Sequence, residues 1–119
     1  RQYFDGPVRR SALRSNRTAQ DYRLCALLLD KDIDRFASEL RTYYDLDSLA
    51  TPLPTAYREA LILYRQLRTR PIYLYDDSAG QANFNDFETI RRASGNRMEN
   101  ENRARREYGH TYWWYYFYA

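Results

Sequence analysis

Apolar positions recur at helical spacing through most of this chain, and the clearest run extends from Asp21 to Tyr64. Tyr22, Cys25, Ala26 and Leu29 follow one stripe, widened by Leu24, Leu27 and Leu28, and predict a helix over 19–29. Thr18 is its expected N-cap, with Asp21 in the first turn, where a carboxylate suits the helix dipole. A helix apolar around so much of its girth is expected between two neighbours. Ile33, Phe36, Ala37, Leu40 and Tyr44 form a second stripe, predicting a helix over 32–44 with Asp30 as its cap. The short link between the two implies an antiparallel hairpin.

Pro52 and Pro54 interrupt helix through the connector 45–54, and Pro54 suits a first helical position. Tyr57, Ala60, Leu61, Tyr64 and Leu67 then share one face of a helix expected over 54–68, ended by Pro71. Ile72 to Tyr75 alternates too briefly for a strand and reads as an extended loop, with a turn over 76–80. Asn83 or Asn85 is the expected cap of a helix over 86–93, with Phe84, Phe87 and Ile90 inward and Gly95-Asn96 as its stop. The polar run 98–108 has helical composition. Tyr112 to Tyr118 is entirely aromatic; its β propensity would equally allow a strand, but an otherwise helical chain offers no sheet partner. At the other end, Arg1 to Pro7 is an aperiodic leader, and a short helix over 8–15 is expected to follow.

The expected fold is all-α: antiparallel helical hairpins in one domain of 119 residues, stacked as a short solenoid or a small bundle. The chain opens with Arg1 rather than Met, so it reads as a piece of a longer protein or a processed form. Composition agrees with helices, since Gly and Pro number only four each. No apolar run approaches the roughly 20 residues of a membrane-spanning helix.

Charge sharpens the picture only slightly. The net charge is +3, but Lys31 is the one lysine among 19 basic residues, leaving arginine to stack on the 13 tyrosines or to pair with acids. Arg91, Arg92, Arg97, Arg103, Arg105 and Arg106, beside the aromatic end, form the best basic patch. Arginines interleaved with aromatics suit single-stranded nucleic acid. Glu99, Glu101 and Glu107 interrupt the patch, and a salt-bridged helix face is the preferred reading.

Cys25 and His110 are single, so no intrachain disulfide and no His/Cys metal cluster can form. A nucleophilic pair would require them to meet, yet Cys25 lies in an apolar stripe, where a thiol packs inertly. Asp30, Asp32 and Asp34 alternate like part of a calcium loop but lack its glycine and its terminal Glu, and read as a cap plus a solvated face. Asp45, Asp47, Asp76 and Asp77 fall in turns, where Asp is common. The sequence therefore designates no catalytic, cofactor-binding or metal-ligating residue.

An internal echo at an offset of 35 residues maps Tyr22-Arg23 on Tyr57-Arg58, Cys25 on Ala60, Leu27 on Ile62 and Leu28 on Leu63. That is near the roughly 34-residue tetratricopeptide period. Cys25 and Ala37, twelve apart, match the small residues at which that repeat crosses its helices. The second unit lacks a counterpart of Ala37, because Ile72 falls there just after Pro71. The phrases LLLDKDIDRFASEL, LPTAYREAL and GHTYWWYYFY resemble the C-terminal helical part of an uncharacterised family of membrane-anchored Bacteroidetes proteins. The resemblance covers Asn16 to Ala119 and implies a membrane-anchored parent with transmembrane helices before this piece, and a natural C-terminus near Ala119; it implies no activity. The functional expectation is a scaffold binding a protein or peptide, with an Arg-rich nucleic-acid or phosphate binder as the alternative and an enzyme fragment third.

Overall fold

The computed structural model describes residues 18–46 and 53–119, which carry six helices and no strand. In chain order these are α1 (Thr18–Leu29), α2 (Ile33–Tyr43), α3 (Thr55–Leu67), α4 (Ser78–Arg91), α5 (Arg97–Tyr108) and α6 (Tyr112–Tyr118). The leader, the helix expected over 8–15, and Asp47 to Pro52 lie outside the described residues.

The all-α expectation holds, and every sequence neighbour packs on the next. Asp34, near the start of α2, pairs with Arg68 just past α3, while Tyr44, just past α2, meets Tyr57 near the start of α3. The two helices therefore run antiparallel. The final helix breaks the simple sequence by packing on α3 as well as α5. The buried side chains of all six helices form one cluster.

The α1–α2 link is a helix C-terminus closed by its own backbone. Asp32 N–H donates to the Leu27 carbonyl at 2.9 Å and Lys31 N–H to that of Leu28 at 3.0 Å. This Schellman pattern needs a left-handed residue, and Lys31 supplies it at φ 60°. The cap of α2 is Asp32, whose carboxylate accepts from Arg35 N–H at 3.2 Å, and not Asp30 as its position suggested. Similarly, Thr18 is already inside α1, and Pro54 stands one residue before α3 rather than within it.

Two further expectations are corrected. The inward stripe of α1 is Asp21, Leu24, Cys25 and Leu28 with Leu27, whereas Tyr22 is 53% exposed and Ala26 is exposed too. The sandwiched helix is α3, which buries Ala56, Tyr57, Ala60, Leu61, Ile62, Leu63 and Tyr64 because α2, α4 and α6 all pack on it. The echo at 22 and 57 consequently fails in burial, although Cys25/Ala60 and Leu28/Leu63 are buried alike.

Second, α4 starts at Ser78, eight residues before the expected Asp86. Asp77 caps it by accepting from Gly80 N–H at 3.0 Å, so the expected turn is a helix entry. The glycine is there for space: a Cβ at Gly80 would stand 2.6 Å from both Asp77 Oδ2 and Ile62 Cδ1. Asn96, expected to help stop α4, caps α5 by accepting from the amides of Met98 and Glu99.

Candidate functional site

The first buried polar group lies at the base of α1. Asp21 is fully buried, and its Oδ1 accepts from the hydroxyls of Tyr57 at 2.7 Å and Tyr44 at 2.9 Å. Its Oδ2 has no hydrogen-bond partner. Burial and the carboxylate beside it raise the Tyr57 hydroxyl pKa well above the ordinary tyrosine value. Helical spacing carries Asp21 inward, one turn before Cys25 and Leu24; an acid at the start of a helix gave no sequence signal of that burial.

Tyr44 connects this network to a cleft of about 550 Å³. The cleft lies between the end of α2, with Arg41 and Leu46, and the extended segment bearing Tyr73, Leu74 and Tyr75. The segment is pinned from its inner side: Tyr73 Oη donates to the Ala37 carbonyl at 2.7 Å, and Ile72 N–H donates to Tyr64 Oη at 2.8 Å. Arg41 lies over the Tyr73 ring at 5.9 Å. Ile72 and Leu74 point the other way and are 48% and 61% exposed.

The aromatic end forms a second constellation. As a helix it buries Tyr112, Trp113, Trp114 and Tyr115 and half-buries Tyr116, Phe117 and Tyr118. Thr111 caps it, its hydroxyl accepting from Trp114 N–H at 3.2 Å. Tyr112 donates to the Leu28 carbonyl at 2.7 Å and Tyr115 to that of Leu29, so these hydroxyls satisfy the open end of α1. The Leu28 carbonyl already accepts from Lys31 N–H, so Tyr112 adds a second bond there, whereas Tyr115 supplies a partner to the Leu29 carbonyl. Lys31 sits 5.5 Å from the Tyr115 ring centre at the same helix end.

Glu59 receives α6 from the α3 side. Its carboxylate accepts from Tyr112 N–H at 3.0 Å and its carbonyl accepts from the Trp113 indole at 2.8 Å. Burial pushes the Glu59 pKa up to about 7, against the smaller opposing effects of the Tyr112 amide and nearby Arg58.

The arginine patch divides. Arg91 and Arg92 both pair with Glu88, and Arg91 also lies 3.9 Å over the Phe117 ring. Arg103 pairs with Glu107 at 2.9 Å, and Arg105 lies over Trp114 at 5.4 Å. Arg97 lines a cleft of about 620 Å³ with Met98, Phe117 and Tyr118, while Arg106 is exposed.

The remaining candidates are ordinary in their settings. Cys25 is buried, near enough to Tyr57 to contribute to its raised pKa, and His110 is exposed in the α5–α6 corner. Asp30 is exposed, Asp34 forms a bidentate pair with Arg68 at 2.8 and 2.9 Å, and Asp76 pairs with Arg65. Among the described residues no three His, Cys, Asp or Glu side chains are grouped to hold a metal ion. Nor is any helix among them long and apolar enough to cross a membrane.

An all-helical protein is thus defined, with Asp21 buried among tyrosines and two of its exposed apolar side chains, Ile72 and Leu74, on one extended segment beside a cleft. The chain belongs to a family of unknown function, DUF6057, whose model matches residues 11–119. No curated protein and no solved structure matches it. The match bears out the expectation of an uncharacterised family.

Proposed function

We propose that this chain is a helical scaffold that binds a protein or peptide, and that the partner docks along the segment 72–75 and its cleft. The observation that carries the reading is the outward pair Ile72 and Leu74, left 48% and 61% exposed on a segment held rigidly from behind. Exposed apolar side chains grouped on a fixed support are what an interface core requires. Arg41 at the cleft, and Tyr44, Tyr73 and Tyr75 around it, add the residue types that dominate binding energy at interfaces. In this reading the hairpins serve as tetratricopeptide-like supports, and the scaffold belongs to a membrane-anchored parent.

A photoreactive side chain at Leu74 tests it. A discrete adduct is expected from Leu74, absent with the same probe at exposed Glu99 and lost in an Ile72→Ser background. Titration with a single-stranded oligonucleotide at two salt concentrations tests the nucleic-acid alternative. Micromolar binding that falls steeply with salt, and is lost when Arg103, Arg105 and Arg106 become Ala, overturns the proposal.

A further inference from the structure

Exposure alternates without a break from Arg70 to Asp77: even-numbered residues are exposed and odd-numbered ones half-buried. The outward set is therefore Arg70, Ile72, Leu74 and Asp76. Read in reverse about Tyr73, this set is its own complement: the cation falls opposite the anion and Ile opposite Leu. Both charges have capacity for such a contact. Among the described residues Arg70 has no ion-pair partner, and Asp76, with its side chain 89% exposed, gives only Oδ1 to Arg65. Among the described residues the main chain of Tyr73, Leu74 and Tyr75 makes no hydrogen bond.

We infer that the partner at this face is a second copy of the same chain, its segment 70–76 packed antiparallel against this one about a two-fold axis through Tyr73. The inference rests on the interaction reading above and specifies its partner. A two-fold contact must present the same patch on both sides, which a self-complementary outward set does. Arg70 then meets Asp76 of the other copy twice, and Ile72 and Leu74 of both copies make a four-residue apolar centre. The segment curves, with bends at Ile72 and Tyr73, so the contact is chiefly between side chains. A patch this short stays below the roughly 1,000 Å² of a stable interface, and the association is reversible and weak.

Sedimentation equilibrium up to about 0.5 mM tests the contact. The wild-type chain should self-associate, and Arg70→Asp and Asp76→Arg should each weaken the dimer at least about tenfold, since each places like charges together at both ends. An equimolar mixture of the two variants should recover wild-type association, because each chain then offers the charge the other lacks. Circular dichroism confirms that both variants keep the helical fold. A monomeric wild type, variants that dimerise undiminished, or a mixture that stays monomeric overturns the self-pairing. If the wild type is monomeric yet the Leu74 adduct forms with another protein, self-pairing alone falls and the scaffold reading stands.

Discussion

Glu59 is a carboxyl that changes charge near neutral pH while holding the amide of α6. Its folded pKa of about 7 lies above the roughly 4.3 of an unfolded glutamate, so the folded chain keeps the proton over that interval. Stability from this group is complete below about pH 4 and declines as pH rises to about 7, where the half-buried carboxylate becomes charged. Glu59→Gln keeps the shape and removes the titration. Thermal melts should find it close to wild type at pH 4 and more stable at pH 8, by up to about 3 kcal/mol. Asp21 is fully buried, and Tyr57→Phe removes the shorter of its two hydrogen bonds while retaining the ring. Denaturant unfolding should show a loss of about 1–3 kcal/mol. At Lys31 the backbone rather than the side chain is strained; its φ of 60° is the conformation that a glycine would adopt freely.

At the scale of the helix, ends matter more than middles. Gly80→Ala would favour helix by up to about 1 kcal/mol. The new methyl, however, meets the Asp77 cap and the buried end of Ile62 at 2.6 Å. Displacing a cap and overpacking a core contact each cost about 1–2 kcal/mol, so calorimetry should record a lower melting temperature. Thr111→Ala removes the hydroxyl that caps α6 and should cost about 1 kcal/mol.

The same distinction explains what could be read from the chain. The stripe Ile33–Phe36–Ala37–Leu40 and the face Tyr57–Ala60–Leu61–Tyr64 are one-sided repeats, and both helices fall where the periodicity put them. Their caps were missed by a residue or two because Asp30, Asp32 and Pro54 all suit helix starts, and only backbone geometry selects among them. The start of α4 was hidden because Asp-Asp-Ser-Ala-Gly is as good a turn as a helix entry. The roles of two acids were hidden for another reason. Asp21 and Glu59 are held by tyrosine hydroxyls or backbone groups 23, 36 and 53 residues away, and periodicity carries no information about such partners.

For the whole molecule the decisive element is α6. It packs on α3 and α5, sets Trp113 against Phe84 at 5.2 Å, and closes the carbonyl end of α1. Deleting Tyr112 to Ala119 exposes α3 and removes the partner of the Leu29 carbonyl, and fully burying even one large apolar side chain contributes about 1.5–3 kcal/mol. The truncated chain should melt many degrees lower or fail to express in soluble form. A truncation that melts like the intact chain would show that α6 is not part of the core.

The reach of Tyr115 back to Leu29 also sets a timetable for synthesis. The two residues are separated by 86 positions, which take roughly 4–17 s to add at about 5–20 residues per second. α1 is complete at Leu29 and α3 at Leu67, 45 residues before Tyr112, so the seat that Trp113 takes on α3 stands empty while α4 and α5 are made. The nascent chain thus carries an apolar surface on α3 that is covered only once Trp113 is added.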